Sequence, residues 1–290
     1  MKLGIAMFPA DFAVRPDELA RAVEDRGFES LFLPEHTHMP ATERTRAEVG
    51  ELPAHFSHTH DLFVALTYAA AATRSLLVGT GICLVPQRDP IVTAKAVASL
   101  DALSGGRVLF GVGAGWISEE IAQHGTDPGR RWSVTAERVK AMRWIWGHDV
   151  AEFHGEHVRF GPLWSWPKPH RPSGPPVLVG GSLPFVASRV LDFGDEWMPH
   201  AGMPVAELAA RIAKLRAAGR ADGRADDVPV TVFGAEPEPA HLAELRDIGV
   251  NRAVRYAPPA DPEAVHRFLD QVAPLTAAFS NWPNTTRQST

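Results

Sequence analysis

Cysteine is nearly absent: Cys83 is the single thiol in 290 residues, which excludes an internal disulfide and fits a reducing compartment. Also missing is any stretch of about 18 uninterrupted apolar residues, so no segment reads as a membrane helix. The start, Met1-Lys2-Leu3-Gly4-Ile5-Ala6-Met7, has one basic residue and a short apolar run before Pro9. It reads as a first strand rather than a secretion signal. Basic charge is not in excess either, and the formal net charge of −5 gives no electrostatic footprint for nucleic acid. What remains is an ordinary globular composition, 45% hydrophobic and 22% charged, in a chain long enough to bury most of its unfolded surface. These bounds favour a cytoplasmic enzyme.

Eight apolar runs are candidate strands: Leu3–Phe8, Glu29–Leu33, Leu76–Val85, Val108–Val112, Pro176–Val179, Glu196–Met198, Val228–Phe233 and Arg252–Tyr256. Several are continuous in Val, Ile, Leu and Phe, as parallel strands covered by helices on the outside should be. The segments between them carry helix grammar. Asp261 is placed to cap a helix that has Pro262 in its first turn, with Val265, Phe268, Leu269 and Val272 on one face. Leu242, Leu245 and Ile248 do the same before Gly249, and Pro16 leads Asp17 and Glu18 into a first turn where the helix dipole favours acids. Eightfold strand–helix alternation predicts a single (β/α)8 barrel spanning 1–280, with a flexible tail over 281–290 and a doubly wound open sheet as the alternative. Two connections exceed simple turns. Thr37 to Thr59 follows strand 2 and is expected to wall a pocket; His148 to Pro175 precedes strand 5, and its Trp164 and Trp166 either pack across the barrel or frame that pocket.

Barrel active sites sit at the C-terminal ends of the strands, so residues there are candidates. Pro34-Glu35-His36-Thr37-His38 leaves strand 2 with an acid and an imidazole suited to proton transfer. Gly79-Thr80-Gly81-Ile82 softens the third run, either to relieve crowding inside the barrel or to let a flat ligand meet main chain. Gly111-Val112-Gly113-Ala114-Gly115-Trp116 ends strand 4; its glycine spacing is wrong for a dinucleotide fingerprint but suits a rim that touches a ligand. Gly180-Gly181-Ser182, read as opening a helix with Pro184 in its first turn, offers free N–H groups to a phosphate. Five histidines between His36 and His60 raise a rival, an amidohydrolase-type metal centre built on His36-x-His38. Its later ligands are incomplete: strand 5 ends in Gly180-Gly181 and strand 8 in Tyr256-Ala257-Pro258. No metal site is expected. Trp144, Trp146 and Cys83 read as packing residues, and Arg130, Arg131 and Glu137 as ion pairs on a solvated face.

Taken in order, Leu33-Pro34-Glu35-His36, Val78-Gly79-Thr80-Gly81-Ile82, Asp89-Pro90, Ser104-Gly105-Gly106-Arg107, Phe110 through Trp116, Val179-Gly180-Gly181-Ser182 and Gly194-Asp195-Glu196-Trp197 resemble the bacterial luciferase-like monooxygenase superfamily. They are most similar to its branch that uses the deazaflavin coenzyme F420. The resemblance covers nearly the whole chain. It implies that Glu35 and His36 stand beside the deazaflavin ring and that Gly81–Ile82 is a cis peptide supporting the ring's face. Ala114, Gly115 and Trp116 would contact the cofactor's side chain or the substrate, and Gly180, Gly181 and Ser182 its phosphate. Some relatives carry an acid directly after the strand 4 glycines for work on sugar phosphates. Here Trp116 and Ile117 stand there, with Glu119 and Glu120 further on, which argues for a more apolar substrate.

The expected chemistry is hydride transfer between coenzyme F420 and an organic substrate, with His36 as proton donor or acceptor and Glu35 orienting the cofactor or tuning that imidazole. The same fold with FMN, acting as a monooxygenase, is the nearest alternative. A barrel that carries deazaflavin without turnover is another. Relatives are often dimers, so a homodimer is possible, but no stripe in this sequence identifies an interface.

Overall fold

Short runs of β-branched and aromatic residues alternate with amphipathic segments, and this pattern builds a ring of parallel strands with helices outside it. The computed structural model describes residues 1–182, 185–224 and 227–280. The first half contains β1 (Lys2–Ala6), α1 (Pro16–Asp25), β2 (Ser30–Leu33), α2 (Glu43–Val49), α3 (Leu62–Ala71) and β3 (Leu77–Thr80). It continues through β4 (Cys83–Leu84), α4 (Pro90–Ser104), β5 (Val108–Gly113), α5 (Ser118–Gln123) and α6 (Arg131–Gly147). The second half runs β6 (Val150–His154), β7 (Arg159–Trp164), β8 (Val177–Gly180), α7 (Val186–Phe193) and β9 (Glu196–Met198). It ends with α8 (Val205–Ala221), β10 (Thr231–Phe233), α9 (Pro239–Asp247), β11 (Arg252–Tyr256), α10 (Pro262–Val272) and α11 (Pro274–Ser280).

Hydrogen bonding orders the parallel strands β10-β11-β1-β2-β3-β5-β8-β9. Parallel bridges Trp197↔Val230 and His200↔Phe233 then join β9 back to β10, with the Phe233 N–H donating to the Pro199 carbonyl at 2.8 Å. The result is a nearly closed eight-stranded (β/α)8 barrel. Inward side chains Phe32, Leu109, Leu178, Met198, Phe233 and Val254 fill its interior, while a larger apolar shell lies between strands and helices. Glycine admits a close main-chain approach in that interior: a Cβ on Gly111 would lie 2.1 Å from the Thr80 carbonyl oxygen.

Helix starts follow the sequence signals. Asp89 Oδ1 accepts from the Ile91 and Val92 N–H groups at 2.9 Å each, and Asp261 Oδ1 from Ala264 N–H at 2.9 Å. Such a cap satisfies helix N–H groups that have no intrahelical acceptor, and losing it costs about 0.5–2 kcal/mol. Asp89→Ala should therefore lower the urea midpoint while Asp89→Ser largely preserves it; an unchanged midpoint in the alanine variant would show that the cap contributes nothing.

Four expectations need correction. The third run, expected to be continuous, is split: β3 ends at Thr80, the Gly81–Ile82 peptide is cis, and β4 resumes alongside β5 in the register Cys83↔Val112. The segment before β8 is not plain loop but an antiparallel hairpin of β6 and β7, and its Trp164 and Trp166 are exposed, neither crossing the barrel nor framing the cavity. Glu137 anchors that hairpin's turn by accepting from the Glu156, His157 and Val158 N–H groups, rather than serving as an ion pair. Finally, the helix after Gly180-Gly181-Ser182 starts only at Val186, with Phe185 at its cap position. Pro184 and the tail 281–290 lie outside the described residues.

At the N-terminal end of the barrel, Arg252 opens β11 and spans two acids. Its guanidinium bonds Glu29 at 2.7 and 2.9 Å, Glu196 at 3.3 Å and the Thr231 hydroxyl at 2.9 Å. These residues, at or just before the first positions of β2, β9, β10 and β11, lie at the barrel floor. Chemistry is left to the other end.

Candidate active site

A cavity of about 870 Å³ opens at the C-terminal ends of the strands, within the size range of small-molecule and cofactor sites. Glu35, His36, Gly81, Ile82, Ala114, Gly115, Trp116, Gly180 and Gly181 all line it, so the barrel gathers nine of the ten residues singled out by sequence. The insertion after β2 contributes His55 and Phe56, as a pocket wall should. Ser182 is not part of the lining; its hydroxyl accepts from the His200 N–H at 3.2 Å, and its carbonyl accepts from Arg211. The remaining wall is mostly apolar, with Phe8, Met198, Phe233 and Phe268 among its side chains.

His36 and Glu35 leave β2 side by side but face different partners. His36 Nδ1 lies 3.0 Å from Glu120 Oε1, and neither side chain is more than a few per cent exposed. An ionised carboxylate can only accept, so Nδ1–H donates and Nε2 is left as the acceptor on a ring that lines the cavity. The acid that fixes this imidazole is therefore Glu120 of α5, not Glu35. The other oxygen of Glu120, Oε2, is buried without a partner among the described residues. Glu35 instead accepts from the Leu84 N–H at 2.7 Å and from Arg88 Nε at 2.6 Å. Arg88 continues to Asp61 at 3.2 Å and lies over the Phe63 ring at 4.9 Å. Both oxygens of Glu35 are thus committed to tying β2 to β4 and to the start of α3. Burial, and after it the Glu35 charge, pushes the neighbouring Cys83 thiol well above its ordinary value, which keeps it an unreactive core residue.

The glycine motifs work differently from bare main chain. The space a side chain would need at Gly81 is taken by the Phe233 ring, 2.5 Å from an added Cβ, and that at Gly113 by the Ile82 side chain at 1.9 Å. These glycines let Ile82, just after the cis bond, seat itself across β5 in the cavity wall. Gly181 is different: its φ of +118° is a conformation L side chains rarely adopt, and nothing closer than 3.7 Å faces its missing Cβ.

Beside Trp132 of the cavity wall stands a pair of arginines, of which the sequence placed Arg131 on a solvated face and gave no reading of Arg189. The Arg189 guanidinium lies 3.8 Å over the ring of Trp132, a cavity-lining residue. Burial, and then the nearby Arg131, pulls Arg189 below the ordinary guanidinium value. Arg189 Nη1 and Arg131 Nε are buried without partners, and neither arginine is paired with a carboxylate among the described residues. Two like charges with unpartnered N–H groups behind a cavity-lining ring are a candidate anion site. The periodicity of α6 and α7 carried no sign of it.

The clustered histidines do not assemble a metal centre. His38 reaches Gln123 Oε1 at 2.5 Å and Thr37, while His58 pairs with Asp11 at 3.0 Å, each away from His36. Among the described residues, no three His, Cys, Asp or Glu side chains converge as metal ligands.

A family model described as luciferase-like monooxygenase matches residues 15–237, well over half of the chain. The chain belongs to the luciferase-like monooxygenase family. This luciferase-like protein is 33% identical to an uncharacterized protein of Mycobacterium tuberculosis, over 94% of its own length and 98% of the relative's. It is 31% identical to an FMNH2-dependent dimethylsulfone monooxygenase of Pseudomonas putida, covering 74% of this chain and 59% of the relative. An F420-dependent hydroxymycolic acid dehydrogenase of M. tuberculosis is 30% identical, covering 75% and 59%. Among solved structures, a monooxygenase of Streptomyces bottropensis superposes with a TM-score of 0.78 at 19% identity, covering 94% of this chain and 98% of that one. An F420-dependent secondary alcohol dehydrogenase superposes with a TM-score of 0.74 at 20% identity, covering 95% and 99%. At those identities the two structures bear on the fold alone. The family thus holds relatives using either F420 or FMN, and this chain is a luciferase-like oxidoreductase by membership.

Proposed function

We propose that this protein transfers a hydride between coenzyme F420 and an uncharged, largely apolar alcohol or carbonyl compound, in the cytoplasm. The observation that carries the reading is a buried imidazole, His36, backed by the buried carboxylate of Glu120 on the wall of an apolar cavity. Oxidising an alcohol removes a hydride from carbon and a proton from oxygen, so the site needs a positioned base as well as an electron acceptor. The residues present fit the cofactor. Ile82 and the Gly81 backbone would support a planar ring, Ala114, Gly115 and Trp116 its side chain, and Gly180 and Gly181 with Arg131 and Arg189 its phosphate. When bound, the deazaflavin supplies the two-electron hydride exchange.

His36 does the proton work. In the oxidative direction Nε2 takes the hydroxyl proton as the C–H bond gives up its electron pair, and the substrate becomes a ketone or aldehyde. In reduction Nε2 returns the proton to the new alkoxide. Glu120 holds the ring in the tautomer that leaves Nε2 free and faces the charge that forms on it. The apolar wall keeps water from competing for that proton.

FMN has the same flat ring and anionic tail, and the P. putida relative keeps the monooxygenase reading as the alternative. Titration of the purified protein with each cofactor, followed by fluorescence, separates the two. The expected result is F420 binding at least tenfold tighter than FMN; the opposite order would move the assignment to the monooxygenase. In Arg189→Ala, loss of one charge-assisted contact worth about 1.5–3 kcal/mol should weaken F420 binding about tenfold or more. Unchanged affinity would remove the arginine pair from the cofactor site.

A further inference from the structure

Besides His36, the cavity is lined by two imidazoles that the mechanism above does not use, His200, whose Nδ1 lies 3.2 Å from the Ala201 carbonyl, and His55. His55 sits on a single helical turn, Ala54–Phe56, of the insertion after β2. Its ring packs 4.5 Å from Phe8 and 4.9 Å from Phe56, centroid to centroid. The same two phenyl rings border His36, at 6.5 and 5.2 Å. Two imidazoles from opposite ends of the connection after β2 therefore meet at one aromatic corner of the cavity. His36 has its carboxylate; neither ring nitrogen of His55 has a hydrogen-bond partner among the described residues.

The segment carrying His55 is pinned in place. The Thr59 hydroxyl donates to the His36 carbonyl at 2.6 Å, Ala10 and Thr59 form an antiparallel bridge, and Thr42 and Thr45 both donate to Glu119 of α5. His55 is half-buried and held in place, so an oxygenated ligand entering this apolar corner meets a positioned donor and acceptor in exchange for water. Burial, and then the proximity of His36, holds the His55 imidazole below its ordinary value, so at neutral pH it is uncharged. A neutral imidazole has one N–H donor and one lone-pair acceptor, which matches a carbonyl or a hydroxyl equally.

We propose that His55 hydrogen-bonds the substrate's oxygen and holds it at His36, making it the residue that selects uncharged alcohols and carbonyl compounds over hydrocarbons of the same shape. The proposal rests on the reading above only for the entry of an oxygenated organic substrate at this corner. His55 is a positioning and specificity residue; the proton transfer stays with His36.

The test compares the unsubstituted protein with His55→Phe, which keeps a ring against Phe8 and Phe56, and His55→Gln, which restores a donor and an acceptor. Cyclohexanone is the probe, titrated by NMR, and F420 affinity is measured on the same samples by fluorescence. His55→Phe is expected to weaken cyclohexanone binding about 3- to 10-fold, the worth of one neutral hydrogen bond, with F420 affinity unchanged. His55→Gln should recover at least part of that loss. In the unsubstituted protein the ketone should shift the His55 imidazole nitrogen resonances, a readout that needs no variant to fold. Equal ketone affinity in the phenylalanine variant, no recovery in the glutamine variant, or unmoved His55 resonances at saturating ketone would each overturn the proposal. If F420 binds none of the three proteins, the function proposed above falls while the ketone comparison still decides His55.

Discussion

Replacing His36 with alanine is expected to lower kcat about 10²- to 10⁴-fold, the range lost with a positioned general acid or base. F420 affinity should change far less if, as proposed, Ile82 and the Gly81 backbone rather than the imidazole support the ring. The reverse pattern, weak binding with normal turnover, would take His36 out of the chemistry. Glu120→Gln probes the same pair from behind. Its amide oxygen still accepts from Nδ1–H, so the ring keeps its orientation, but the negative charge facing the imidazole is gone. The predicted loss in kcat lies between the wild-type and His36→Ala values. Because the two residues act as one unit, Glu120→Gln added to His36→Ala should cost almost nothing further. Additive losses would mean that Glu120 acts through something other than His36. Glu35→Gln makes the contrast: its carboxylate bonds Leu84 and Arg88, so its replacement should show first in thermal stability rather than in a selective loss of kcat.

Much of this architecture was legible because it rests on local patterns. Continuous apolar runs such as Val108–Val112 marked strands covered on both faces, and Asp261-Pro262 marked a helix start that the structure caps as expected. The β6–β7 hairpin escaped notice because both its strands lie on the surface. Their alternating pattern has too few buried positions to stand out from loop, and Trp164 is 80% exposed. Glu120 was unreadable for another reason. In Ser118-Glu119-Glu120-Ile121 it looks like a solvated first-turn acid, and only a contact spanning 84 residues shows it buried against His36. Arg131 and Arg189 were hidden likewise, since an arginine at helical spacing reads as surface until the fold stacks one of them on Trp132. The glycines marked the right rim for a partly wrong reason. Sequence shows where a side chain is missing, but Phe233 and Ile82, which fill the space at Gly81 and Gly113, come from elsewhere in the chain.

The largest stability loss is expected from Arg252→Leu on the barrel floor. Glu196 is 6% exposed, and burial pushes its carboxyl above the usual range, opposed first by the Arg252 charge and then by the Thr231 hydroxyl. Leucine fills part of the space but leaves Glu196 buried without a cation and facing Glu29, which loses its own bonds at 2.7 and 2.9 Å. Breaking a buried ion pair from one side costs about 3–5 kcal/mol, a large part of a domain's net stability, and should appear as a lower denaturant midpoint with an unchanged slope. The loss should also depend on pH in a defined sense. With its folded-state affinity for a proton raised, Glu196 binds more protons in the folded chain than in the unfolded one, so stability falls as pH climbs through the folded value. Removing the opposing arginine enlarges that difference, and the deficit of the variant against wild type should be widest at neutral pH and shrink as pH falls toward the ordinary Glu range of about 4.3. Arg252→Leu combined with Glu196→Gln should recover part of the loss at neutral pH, because the amide needs no counter-charge and can still bond Thr231. A deficit below about 1 kcal/mol, or one of constant size across pH, would mean that these charges are hydrated in the folded protein and that the barrel floor is held by its apolar contacts instead.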